Sequence, residues 1–290
     1  MFLSYFLSGL SLGAIYALIA LGYTMVYGIV KMLNFAHGDV IMVGGFIAYA
    51  VSVLLGLSAP VAILVSLVFC TILGITIERV AYKPLRKASK LSVLITAIGV
   101  SYLLQNLALL IFGSDSKNFQ SMISITPINI NGFNISGETI MTIGVSIIIM
   151  VGMSLFINNT KSGRAMLAVA EDTGAAELMG INVNRTISLT FAIGSALAAI
   201  AGILLCAQYP QIGPYTGQMP GIKAFIAAVF GGIGSIPGAM IGGITIGVVE
   251  NLSKAYISTQ LSDAIMFAVL ILTLLIKPLG LFGKKFRVKV

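Results

Sequence analysis

Two groups of residues in this sequence have side chains and spacings that could do chemistry. Asn34, His37 and Asp39 fall within six positions of otherwise apolar sequence, around Gly38. An amide, an imidazole and a carboxylate so close together could ligate a metal or move a proton. His37, however, is the only histidine in the chain, and one imidazole is too little for a metal site or for acid–base catalysis. The second group is Arg164, Glu171, Asp172, Glu177 and Gly180, inside the polar stretch 158–186 (NNTKSGRAMLAVAEDTGAAELMGINVNRT), which carries three of the nine acidic residues. No Ser–His or Asp–Asp constellation occurs within an apolar run, and Cys70 and Cys206 lack metal-ligand spacing and are expected to be small packing residues. The expectation is therefore no catalytic residue, no metal and no cofactor. Nor does the chain contain Gly-x-x-x-x-Gly-Lys-Ser/Thr; GKK at 283–285 lacks the hydroxyl and the strand-to-helix setting of a phosphate-binding loop.

The elements that must position these residues are membrane helices. The chain is 58% hydrophobic and 9% charged, with mean hydropathy +1.05, which predicts an all-α, polytopic helical membrane protein. A bilayer core takes about 20 apolar residues per helix. Apolar runs at 2–30, 40–57, 59–77, 91–112, 140–157, 187–207 and 262–281, with a glycine-broken stretch at 222–250, give eight spans, with nine possible. No polar stretch is long enough to hold a core of its own, so 1–290 reads as one transmembrane domain. The first thirty residues contain no Lys or Arg, so the basic start of a cleavable signal is missing and the first helix is expected to be retained.

Basic residues set the expected orientation, since they concentrate on the cytoplasmic side. Arg79, Lys83, Arg86, Lys87 and Lys90 share one loop, and Lys161, Arg164 and Arg185 another. Lys284, Lys285, Arg287 and Lys289 close the chain, and Lys31 joins this side; Lys117, Lys223 and Lys254 oppose them. The bias places the N-terminus outside and the C-terminus in the cytoplasm, makes 113–138 an external loop and 158–186 a cytoplasmic one, and makes 222–250 a helical hairpin, re-entrant or built of two short spans. The net charge of +8 follows from this bias together with anionic lipid headgroups, and calls for no nucleic acid. Apart from Lys277, which can snorkel, the spans are expected to lack charges at mid-depth.

Thr160 or Ser162 can cap a short helix running to Ala170, with Met166, Leu167, Val169 and Ala170 on one apolar side. Asp172 or Thr173 can cap a second over 174–179, which Gly180 would stop in a left-handed conformation. With Leu178, Met179 and Ile181 these predict a compact knob beyond the membrane. Its three acids follow only Lys161 and Arg164, so a protein partner suits it better than anionic lipid. The segment Asn34, His37, Gly38, Asp39 reads either as a broken helix beside a translocation path or as an interfacial turn in which Asp39 caps a helix starting at Val40. Gly231, Gly232, Gly234 and Ser235, ahead of Pro237, read either as path-lining or as close packing, since Gly238, Gly242 and Gly243 have small-residue spacing.

The segments NFAHGD (34–39), GRA (163–165), AED (170–172), GIN (180–182) and GGIGSIPGA (231–239) resemble, across nearly the whole chain, the permease subunits of bacterial branched-chain amino-acid ABC importers, the Liv family, and its LivH-type half more than its LivM-type half. The resemblance implies a translocation subunit in the bacterial inner membrane. Its partners would be a second, LivM-like permease, two cytoplasmic ATPases and an extracytoplasmic binding protein. It also implies that 158–186 docks into a groove of the ATPase. The general importer pattern there, Glu-Ala-Ala, three residues, Gly, is altered here because Gly174 precedes Ala175 and Ala176, leaving Glu171 or Glu177 as the acidic contact. Urea and short-amide permeases look similar, and an ion-coupled secondary carrier is the alternative from another class.

Overall fold

The computed structural model describes residues 2–86, 88–119, 126–130 and 133–283. Lys87, Lys284, Lys285, Arg287 and Lys289, used above, lie outside the described residues.

Helices account for almost all of the architecture: α1 (Phe2–Val30), α2 (His37–Tyr49), α3 (Ala59–Ile77), α4 (Lys90–Phe112), α5 (Gly137–Asn159), α6 (Lys161–Glu171), α7 (Thr173–Leu178), α8 (Val183–Gln208), α9 (Gln218–Gly231), α10 (Ile236–Tyr256) and α11 (Ser262–Ile276). Seven helical segments are long and apolar enough to cross a membrane, with Ser262–Ile276 a shorter apolar one, so the protein is a polytopic helical membrane protein. Two spans run past their α-helical ends as π-helical turns, Ala50–Leu54 after α2 and Glu78–Tyr82 after α3. The glycine-rich stretch is two helices, the 14-residue α9 and the 21-residue α10, joined through residues 232–235.

The core is built around α1, α8 and α10, because their sequences are rich in small residues. In the absence of a hydrophobic force between helices inside lipid, close backbone approach and dispersion hold a bundle together. Gly9 and Gly13 of α1 meet Gly243 and Gly247 of the antiparallel α10; a Cβ added at Gly247 would lie 2.2 Å from the Gly13 Cα. Gly44 of α2 likewise lies against Ala199 of α8. By contrast α3 and α4 are peripheral, and Leu64, Val68 and Ile72 stand exposed on the surface that lipid would cover. Cys70 and Cys206 are buried free thiols filling core space. Gly247→Ala is expected to cost about 1–3 kcal/mol by overpacking, seen as a lower unfolding midpoint in detergent micelles; an unchanged midpoint would mean that α1 and α10 can separate freely.

Four short strands were not foreseen. β1 (Lys117–Asn118) pairs antiparallel with β4 (Gln211–Ile212), and β2 (Ile128–Ile130) with β3 (Phe133–Ile135). The first pair ties the segment after α4 to the segment after α8, and Phe119 beside it is fully buried. This is the strand end of the bundle; α6 and α7 stand at the other.

Candidate functional site

The segment 34–39 lies in the interior. α1 stops at Lys31, the one described non-glycine residue with positive φ (57°), and the chain turns back so that α2 begins at His37, deep against α1. Asn34 is buried and accepts a hydrogen bond from the Tyr82 hydroxyl at 2.9 Å. His37 packs edge-on against Tyr23, ring centroids 4.7 Å apart, and occupies the space a Cβ at Gly22 would need. Gly38 lies against Gly217 and Gly221 at the start of α9. Asp39 does not cap a helix: α2 has Ala36 at its N-cap, without a side-chain cap, and Asp39 in the first turn accepts from Gln105 Nε2 at 2.9 Å. That position still suits the positive end of the helix. The start of the helix is buried among α1, α4 and α9.

Close packing accounts for much of the glycine-rich stretch. Gly231 is pressed against the Gly238 carbonyl and Gly242 against that of Ala227, which folds α9 onto α10. Gly232 and Gly234 have φ of 104° and 92°, a region open to glycine and strained for other residues. Ser235 caps α10, accepting from the Gly238 N–H at 3.2 Å. Beside this turn the interior is nearly filled, with a cavity of about 10 Å³ lined by Tyr27, Asn34, Phe225 and Ile233, about the room of one water.

Charged side chains are buried within the helix bundle. Lys223 on α9 and Glu250 on α10 are 7% and 1% exposed. Lys223 Nζ lies 2.7 Å from Glu250 Oε1 and 2.8 Å from Asp263 Oδ1 of α11. Lys254 Nζ reaches the same Glu250 oxygen at 2.5 Å, and the Tyr16 hydroxyl donates to Oε2 at 2.8 Å. Glu250 thus joins three helices. In the sequence Lys223 and Lys254 count only toward orientation; that Lys223 and Glu250 meet 27 positions apart is a consequence of the hairpin. Next to them opens a cavity of about 230 Å³, reaching toward the strand end. A second buried acid, Glu78 in the π-helical turn, binds Arg86 and accepts from the Ser188 hydroxyl of α8 at 2.6 Å. Arg86 also donates to Asn184 Oδ1 at 2.5 Å, so a residue counted only for orientation also links two spans.

The knob folds as its caps predict. Thr160 caps α6, accepting from the Gly163 N–H at 3.0 Å, and Asp172 caps α7, accepting from the Ala175 N–H at 3.0 Å. Gly180, φ 79°, ends α7, with Ile181 N–H returning to the Ala176 carbonyl at 3.0 Å, the Schellman arrangement. The apolar side of α6 is used internally: Met166 and Val169 are buried, while Leu167 is half exposed. What remains open is the tip, where Leu178 and Met179 are 91% and 82% exposed. Among the acids, Glu171 lies close enough to Lys31 to oppose the partial burial that lowers that ammonium's pKa from its ordinary value. Glu177 and Arg164 stand exposed, Arg164 donating to the Asn159 carbonyl at 3.3 Å.

A helical bundle of this kind, with a polar cavity at one end and a free apolar tip at the other, is that of a multi-pass membrane permease. Residues 5–274 match the family described as the branched-chain amino acid transport system, permease component, and the chain belongs to that family. It is 45% identical to the high-affinity branched-chain amino acid transport system permease protein LivH of Salmonella typhimurium over 98% of this chain and 96% of that one. The corresponding protein BraD of Pseudomonas aeruginosa matches at 45% identity with the same coverage. A probable LivH of Methanocaldococcus jannaschii matches at 30% over 92% and 88%.

Proposed function

We propose that this protein is the translocation subunit of an ATP-driven importer for leucine, isoleucine and valine. It has no nucleotide site of its own and works with a second permease, two cytoplasmic ATPases and an extracytoplasmic binding protein. The observation that carries the reading is the full-length similarity to LivH and BraD at 45% identity. The knob 158–186 is its coupling element. Asp172 and Gly180 shape it, Glu171 is held toward Lys31, and Leu178, Met179 and Glu177 are left to meet the ATPase, with Arg164 beside them. Of the two acids kept open by the sequence, Glu177 is the better contact on this reading. The strand end faces outward and the knob end the cytoplasm, in agreement with the basic-residue bias.

Alternating access by rocking of helices around the 34–39 break and the 231–235 turn then explains the unequal cavities, about 230 Å³ toward one end and about 10 Å³ beside Asn34. Asn34, His37, Gly38 and Asp39 would lie on the path, and Gly231, Gly232, Gly234 and Ser235 would form its inner gate. Purification of the tagged protein from its native membrane in mild detergent is expected to recover ATPases and a second permease, and the reconstituted complex is expected to import leucine only with ATP. Recovery of this chain alone, transporting under an ion gradient without ATP, would instead make it a secondary carrier.

A further inference from the structure

The cavity beside Glu250 has the chemistry to hold a specific class of solute. Its polar side carries one acid, Glu250, with Lys254 a helical turn further on and Lys223 from α9, and its other walls include Leu12, Leu205 and Met219. The hydrogen-bonding capacity of Glu250 and Lys254 is not used up. A carboxylate accepts about four hydrogen bonds and an ammonium donates three. Glu250 accepts from Lys223, Lys254 and Tyr16, which leaves a site on Oε2. Lys254 makes a single bond, to Glu250, and its side chain is 32% exposed. Two lysines are balanced by Glu250 and Asp263, so the site has no net charge to trap an ion of either sign.

We propose that this cavity is a recognition site for the α-amino acid zwitterion. Lys254 binds the α-carboxylate, Glu250 Oε2 accepts from the α-ammonium, and the aliphatic side chain lies along Leu12, Leu205 and Met219. Lys223 and Tyr16, which also line the cavity, are positioning residues that hold the Glu250 carboxylate. The size is that of a single small solute, below the roughly 300–1,000 Å³ of drug-sized pockets. The assignment rests on the importer function proposed above and deepens it.

The test is protection of a single thiol in the assembled complex, reconstituted without binding protein so that only the permease's preference is read. Met219→Cys is placed in a Cys70→Ala, Cys206→Ala background and its labelling rate by a charged methanethiosulfonate is followed; Gln211→Cys, on the same rim, serves if Met219→Cys does not assemble. Saturating leucine, filling the cavity that Met219 lines, is expected to slow labelling severalfold. Leucinamide, which lacks the carboxylate, and 2-hydroxy-4-methylpentanoate, which lacks the ammonium, are expected to leave it unchanged. Lys254→Met should remove protection by leucine in a complex that still assembles, and Lys254→Arg should restore it. Equal protection by all three solutes, or full protection in Lys254→Met, overturns zwitterion recognition. If the complex imports leucine with its binding protein but leucine gives no protection, this site is wrong and the importer reading stands. If it imports urea and not leucine, the substrate class and this site fall together.

Discussion

Replacing Glu250 with leucine is expected to destabilise the protein by about 3–5 kcal/mol, the range for removing one partner of a buried ion pair. The loss arises on the other side of the contact. Lys223 is 7% exposed and would keep only Asp263, the Tyr16 hydroxyl would lose its acceptor, and the ion pair between α9 and α10 would be lost. For a chain of this size the unfolding midpoint in detergent should fall by about 6 °C or more. The double variant Lys223→Met, Glu250→Leu should be more stable than Glu250→Leu alone. It removes both buried charges, while the side chains of Lys254 and Asp263, 32% and 40% exposed, can turn to solvent. Melting curves of the wild type, both single variants and the double variant form the cycle. Strict additivity would mean that the two residues do not depend on each other. Transport should remain lost in the double variant, since recovered stability does not recover the carboxylate.

Leu178→Asp combined with Met179→Asp is expected to leave folding and insertion at wild-type level and to reduce ATP-dependent uptake about a hundredfold. Both side chains stand almost fully exposed at the end of α7, so the substitutions break no contact within the chain. Seated in a partner's apolar groove, each would contribute about 1.5–3 kcal/mol, and an aspartate there would have to be buried as a charge. Co-purification of the ATPases and uptake in proteoliposomes check this together. Wild-type uptake by a properly inserted variant would remove the tip from the coupling interface and leave Leu167, on the half-exposed side of α6, as the apolar alternative.

The knob was the most legible part of the site because its signals are local. A cap hydroxyl or carboxylate satisfies N–H groups three residues away, and a glycine permits the left-handed stop, so Thr160, Asp172 and Gly180 could be read without knowing the fold. The same sequence could not tell which of its apolar residues were free. Met166 and Val169 look as sticky as Leu178 and Met179, and only the packing of α6 against α1, α5 and α8 separates them. The glycines at 231–242 were legible as a break. Whether they lined a path or allowed close contact depended on which backbone lay opposite.

By itself, the sequence determined that this is a multi-pass helical membrane protein, roughly where its spans lie, and the family to which it belongs. Hydropathy, helix period and motif identity are properties of neighbouring residues. Tertiary structure alone decided that Lys223, Glu250, Lys254 and Asp263 form one charge cluster beside a cavity, that Asp39 bonds to Gln105 and does not cap a helix, and that Arg86 holds Glu78 and Asn184. The physical reason is that a charge in an apolar bundle is tolerable only with a partner, and here the partners of Lys223 and Asp39 come from other helices, brought within bonding distance only when glycine faces such as Gly13 and Gly247 let the backbones close.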